Sequence, residues 1–217
     1  SISIIYSIEE CLINSMDAFK IRKFTFEQLE DRLKKIFEKE QNEDDLKMDL
    51  RNLFLVNDVD SNIHYVIQSC IFDLFILNLE KLTIKDILIL VFPLLENVTE
   101  KSKYDFVNLI FDCFLGELKF KKLEFILKKI IIFYTKKINI LLSQKLSEKK
   151  DIDCVEKMNR NLFSDKQINE FLSVSMDREK LTIQNSWEEL VKPEDCFEII
   201  KKIKIWDYKE IRNNFLI

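Results

Sequence analysis

"LGELKFKKLEFIL", residues 115 to 127, contains Gly116, the single glycine of a 217-residue chain. A protein of this length ordinarily carries about fifteen. A glycine used once belongs where other residues are strained, at a tight reversal or a positive φ. Before it runs a helical stripe, Val107, Ile110 and Phe111, and behind it "KKLEFILKKI" reads as a second helix. Gly116 is therefore expected where the chain reverses between two helices.

Working outward, the segment behind Gly116 proves to be one of four copies. "KFTFEQLEDRL" at 23 to 33, "KLTIKDILILV" at 81 to 91, "ELKFKKLEFIL" at 117 to 127 and "KLTIQNSWEEL" at 180 to 190 share one pattern. In each, an apolar residue, then Thr or Lys, then Phe or Ile precedes a new helix. The leading residues Phe24, Leu82, Leu118 and Leu181 are 58, 36 and 63 residues apart. Stripes precede them as well: Leu12, Ile13 and Met16; Ile67, Cys70, Ile71 and Leu74; and, out of phase by one residue, Ile168, Phe171 and Leu172. Each unit thus reads as helix, loop of about twelve residues, helix. Thr25, Thr83 and Thr182 stand at N-cap positions with Gln28, Asp86 and Asn185 three residues on, which predicts capping boxes that start the second helices.

Composition agrees with helices. The chain is 47% hydrophobic and 33% charged, with two prolines, too few breakers for a protein of many tight turns. A net charge of −4 leaves no whole-protein footprint for nucleic acid. The five cysteines, Cys11, Cys70, Cys113, Cys154 and Cys196, form no C-x-x-C pair and read as reduced thiols of a cytoplasmic protein. The apolar runs "LTIKDILILVFPLL" and "FILKKIIIFYTKKINILL" are broken by Lys or Asp before reaching the length of a membrane span. No basic segment followed by an apolar one opens the sequence, and no signal peptide is expected. "NVT" at Asn97 matches a glycosylation acceptor by chance in such a chain.

The paired spacing and the placed glycine resemble the EF-hand superfamily, in the four-hand form of calmodulin, calcineurin B and myosin light chains. In that family the sixth loop position is glycine and the eighth an apolar residue that pairs with the neighbouring loop. With Leu118 as the eighth position, Gly116 is the sixth. The resemblance is fullest over the second and third hands, from "IFDLF" at 71 to "LKKI" at 130. It implies an all-α, two-lobed array of four helix-loop-helix units, with short β-pairing between loops and extra helices. Residues 1–98 would form an N-terminal lobe holding hands 1 and 2 with an insertion around "EKEQNEDDLKMDLRNLFLVNDVDSN", read as an acidic hinge and an added helix. Residues 99–217 would form a C-terminal lobe holding hands 3 and 4, an insertion around "LSQKLSEKKDIDCVEKMNRNLFSD", and a C-terminal helix starting at Pro193.

Calcium binding in such loops requires oxygen ligands at positions 1, 3, 5 and 12, because Ca²⁺ takes six to eight oxygens. Here those positions hold Asp17, Phe19, Ile21 and Gln28 in the first loop and Phe75, Leu77, Leu79 and Asp86 in the second. The third holds Phe111, Cys113, Leu115 and Lys122, and the fourth Val174, Met176, Arg178 and Asn185. Two carboxylates in different loops cannot make a site, so no calcium, other metal or cofactor is expected. Apolar residues such as Phe111, Phe114 and Leu115 would replace the ion by burial.

Catalytic constellations are missing from the sequence as well. His64 is the single histidine, and Cys70 lies too far round a helix to pair with it. One glycine excludes a P-loop or dinucleotide fingerprint. What remains is the family's usual work: holding an amphipathic helix of a larger protein in an apolar groove. Phe125, Ile126, Ile130, Phe133, Tyr134 and Trp206 are the expected lining, with the tail helix folded back to cover Trp206 and Phe215. The expected role is a non-catalytic, calcium-independent adaptor or light-chain-type subunit with a protein partner, no nucleic acid and no membrane span. A regulatory subunit of a phosphatase, cyclase or kinase, a helical scaffold unrelated to EF-hands, and a small helical enzyme around His64 are the alternatives.

Overall fold

A computed structural model of the chain describes residues 20–54, 83–114, 116–137, 164–175 and 189–213. These residues are mostly helical, with no strand among them and one isolated antiparallel bridge, so the fold is all-α. No helix among them is long and apolar enough to cross a membrane. They divide into two compact units, 20–54 with 83–97 and 98–136 with 164–175 and 189–213.

In the first unit a 3₁₀ turn, Lys20–Lys23, leads into α1, Phe26–Phe37. Thr25 caps it: the Thr25 hydroxyl accepts from the Gln28 N–H at 3.2 Å, and Gln28 Oε1 accepts from the Thr25 N–H at 3.0 Å. Phe26, Leu29 and Leu33, at i, i+3 and i+7, are buried along one side. Helix α2, Glu43–Phe54, is the inserted helix expected from sequence, and it buries Leu50, Leu53 and Phe54. Helix α3, Ile84–Val91, continues as a 3₁₀ turn through Phe92–Leu94. Ile87, Leu88, Ile89 and Val91 are all buried, so α3 is the most enclosed helix of this unit. It packs on α1, where the Phe26 and Phe92 rings meet edge to face with centroids 5.7 Å apart.

A second tie closes this unit. The Arg22 guanidinium, nearly buried, donates from Nε to the Leu94 carbonyl at 3.0 Å, and the Glu96 N–H returns a bond to the Arg22 carbonyl at 2.9 Å. The Asn97 side chain donates to the Lys23 carbonyl at 3.5 Å. These bonds satisfy backbone groups at the ends of two short 3₁₀ turns that helix hydrogen bonding leaves open.

Among the described residues the second unit holds five helices, counting a π turn with the helix it extends. Helix α4, Glu100–Asp112, is followed by a turn and by α5, Phe120–Ile132, which runs on into a π turn, Phe133–Lys137. Helix α6 spans Asp165–Ser175, and α7, Pro193–Ile203, starts on proline as expected. A short helix, α8, Tyr208–Asn213, follows. Helix α4 packs on α7 and α5 on α6, and α6 also touches α7. The core is built from Phe106, Val107 and Ile110 of α4, Leu123, Leu127 and Ile131 of α5, Ile168 and Leu172 of α6, and Ile200 and Ile203 of α7.

The residues just ahead of α5 and just ahead of α7 meet. Lys119 and Leu190 form the antiparallel bridge; the Leu118 carbonyl accepts from the Val191 N–H at 2.7 Å, and the Phe120 N–H donates to the Glu189 carbonyl at 3.4 Å. Leu118 itself is fully buried. The sequence pattern put Leu181 in this partnership and a helix directly behind Thr182. Leu181 and Thr182 lie outside the described residues, but Glu189 and Leu190, the end of that repeat, are not helical, and the partner is the stretch 189–191. The physical reason is Pro193: it fixes the start of α7 there and leaves the residues ahead of it extended.

Candidate protein-interaction site

Gly116 lies between α4 and α5 with φ +82°, the left-handed region. Its N–H donates to the Phe111 carbonyl at 3.0 Å and so closes the end of α4. Of the third loop's residues, Phe111 is buried, Phe114 half-buried, and Cys113 and Lys122 exposed. Asp86, one of the two carboxylates at calcium positions, is engaged as a capping residue: its Oδ2 accepts from the Thr83 N–H at 3.0 Å and from the Thr83 hydroxyl at 2.9 Å. Ile21 is fully buried and Gln28 is in the α1 cap. Asp17, Phe19, Phe75, Leu77, Leu79, Leu115, Met176, Arg178 and Asn185 lie outside the described residues, as do His64 and Cys70. Among the described residues no three His, Cys, Asp or Glu side chains converge as a metal site would require.

The six residues expected to line a groove fall in three environments. Ile130, Phe133 and Tyr134 are buried inside the second unit, Ile126 and Trp206 are half-buried, and Phe125 is 53% exposed. The burial of three successive residues, Phe133, Tyr134 and Thr135, follows from the π turn, which is wider than an α turn and directs them all inward. Thr135 Oγ1 donates to the Ile131 carbonyl at 2.7 Å within it. The Phe133 and Tyr134 rings meet edge to face at 4.9 Å, and Tyr134 lies 6.4 Å from the ring of Tyr208 on α8. The tail helix thus packs over Tyr134, while Phe215 lies outside the described residues. Burial, and after it the neighbouring Tyr208, raises the Tyr134 hydroxyl well above its ordinary pKa of 10.0. On α7, burial pushes the Cys196 thiol up to about 12, so it is a packed, unreactive thiol at neutral pH.

A surface feature sits where α4 meets α7. Tyr104 of α4 is 55% exposed, yet its ring lies stacked on Phe197 of α7 with centroids 4.5 Å apart and planes 10° from parallel. Phe197 in turn is 6.0 Å from Trp206, and Lys103 Nζ stands 4.5 Å over the Trp206 ring. Lys103 is also held by Glu100 at 2.9 Å, one helical turn earlier. Each aromatic pair of this kind contributes about 0.5–1.5 kcal/mol beyond its burial, enough to hold an exposed ring in one orientation. The strip offers apolar and cation–π contact.

Sequence reasoning named Trp206 but neither Tyr104 nor Phe197, which lie beside it. Tyr104 stands three residues before Val107 and seven before Phe111, in line with their buried stripe, so the sequence alone did not mark it as a surface residue. No family model, curated protein or solved structure matches this chain.

Proposed function

We propose that the chain is a non-catalytic, calcium-independent adaptor, resembling a degenerate EF-hand protein, that binds a helical segment of a larger protein. The observation that carries the reading is Tyr104: a half-open aromatic stacked on Phe197 beside Trp206. Rigid aromatics with little conformational entropy left to lose are the anchors on which protein interfaces concentrate their energy. An amphipathic helix supplies matching apolar residues at i, i+3 and i+7.

The ancestry is supported by the antiparallel bridge between Lys119 and Leu190, just ahead of α5 and α7, and by Gly116 in the left-handed region between α4 and α5. Calcium independence rests on Lys122, a cation at the position of the clamping carboxylate, and on Asp86, already committed to a helix cap. Phe111, buried, and Phe114, half-buried, supply apolar packing at the third loop in place of an ion.

Affinity capture of the full chain, in calcium and in chelator, tests the reading against Tyr104→Ala and Trp206→Ala. The same protein is expected in both conditions, with affinity reduced about thirtyfold by either substitution, as for a hot-spot residue. Recovery only in calcium, or turnover by the chain alone, would overturn it. A recovered phosphatase, cyclase or kinase whose rate changes on binding would make the adaptor a regulatory subunit.

A further inference from the structure

We propose that the outer face of α5 adsorbs to the surface of an anionic lipid bilayer, an activity separate from the protein-binding strip on α4 and α7. Residues 119–129, "KFKKLEFILKK", carry five lysines and one glutamate in a chain whose net charge is −4. Lys121, Lys122, Phe125 and Lys129 are exposed and Lys128 is half-buried, while Leu123, Leu127 and Ile130 fill the core on the other side. The spacing of 122, 125 and 129 stacks these residues on one face, and Lys129 Nζ stands 4.9 Å from the Phe125 ring. A basic ridge on an otherwise acidic chain gives attraction to an anionic surface a fixed orientation.

Shape and residue type select the ligand. One helix presents a convex ridge, which suits a broad deformable surface and not another helix seeking a groove. The charges are all lysine, with no arginine between 116 and 137. Lysine is a point charge that meets headgroup phosphates and carboxylates in any geometry, whereas phosphate-specific recognition favours the arginine fork. The Phe125 ring already carries Lys129 near it, which leaves it poorly placed as a stacking platform for a nucleobase. Half-exposed among lysines, it is placed to enter the interface between headgroups and acyl chains.

Co-sedimentation of the full chain with phosphatidylcholine vesicles, with and without about one-third phosphatidylserine, tests the proposal. Binding is expected to the anionic vesicles alone and to vanish near about 0.5 M salt, where screening shortens to a few Å. Each lysine near such a surface strengthens partitioning about fivefold, so Lys122→Gln with Lys129→Gln is expected to weaken it about 25-fold. Lys34→Gln with Lys35→Gln, on exposed positions of α1, is expected to change nothing. Phe125→Trp is expected to strengthen partitioning to the anionic vesicles with the circular dichroism spectrum and urea midpoint of the chain unchanged. Equal binding to neutral vesicles, no binding at low salt, displacement by millimolar inorganic phosphate or by polyuridylate, or an equal loss in the α1 variant would each overturn the assignment. Partner capture through Tyr104 is expected to survive the α5 substitutions, so failure here is distinguishable from failure of the adaptor reading.

Discussion

Among the described residues two occupy the left-handed region, and they differ in what they cost. Gly116 at φ +82° has nothing within 4 Å of the place a Cβ would take, so substitution there meets backbone strain alone. Urea denaturation is expected to rank Gly116 above Asn above Ala, with Gly116→Ala losing about 1–2 kcal/mol. Lys204, at φ 56° and ψ 44°, ends α7 in the same conformation without glycine's freedom. Its exposed ion pair with Glu210, at 3.4 Å, offsets little. Lys204→Gly is expected to stabilise the chain by about 0.5–1 kcal/mol in the same measurement. Scarcity made Gly116 legible as a reversal; Lys204 left no trace in the sequence because lysine is common everywhere else.

Cys196 gives a pH dependence with a definite sign. Its thiol is raised from an ordinary 9.0 to about 12, so between these values the unfolded chain has lost a proton that the folded chain retains. Stability from this group is complete below about pH 9 and falls above it, by at most about 1.4 kcal/mol per pH unit. Tyr134, raised in the same direction, adds to the decline. Chemical denaturation from pH 8 to pH 11 is expected to show a shallower fall in Cys196→Ala than in the parent chain.

Among helices, starts were more legible than partnerships. The boxes at Thr25–Gln28 and Thr83–Asp86 formed as the spacing required, and the same chemistry recurs at Thr99–Ser102 and Ser164–Gln167, which the repeat did not flag. Capping is a local bond across three residues, so local sequence reports it. The bridge at Lys119 and Leu190 spans seventy-one positions with one residue pair and no alternating pattern, so nothing periodic marked it. Helix α7 shows where a local signal is still unused: Lys192 has cap geometry, φ −80° and ψ 148°, but no side-chain bond to the first turn. Lys192→Ser is expected to supply one and to raise the denaturation midpoint, by about 0.5–1 kcal/mol.

At the scale of the chain, the two units have separate cores, one around Leu29, Leu33 and Phe92 and one around Phe106, Leu127 and Ile200. Leu29→Ala and Leu127→Ala each remove a fully buried side chain, at about 2–5 kcal/mol. Amide hydrogen exchange is expected to speed up in the substituted unit and to remain slow in the other; equal loss of protection in both would show one shared cooperative core. All-α architecture was readable from the breakers alone, because composition constrains the whole chain at once. Which aromatics face solvent was not, since Tyr104 and Phe106 differ by two positions and the choice between them belongs to α7.

The wide turn at Phe133–Lys137 has an evolutionary reading. A π turn is an α-helix carrying one surplus residue, so removing a single position from this stretch would rewind it to ordinary pitch. The residues of the turn itself would then be redirected by up to about 100° about the helix axis. The ring of Tyr134 would swing off Tyr208, and the tail would lose its anchor in one step. At this point the length of the gene, counted in single codons, is as strictly tied to the fold as any side chain.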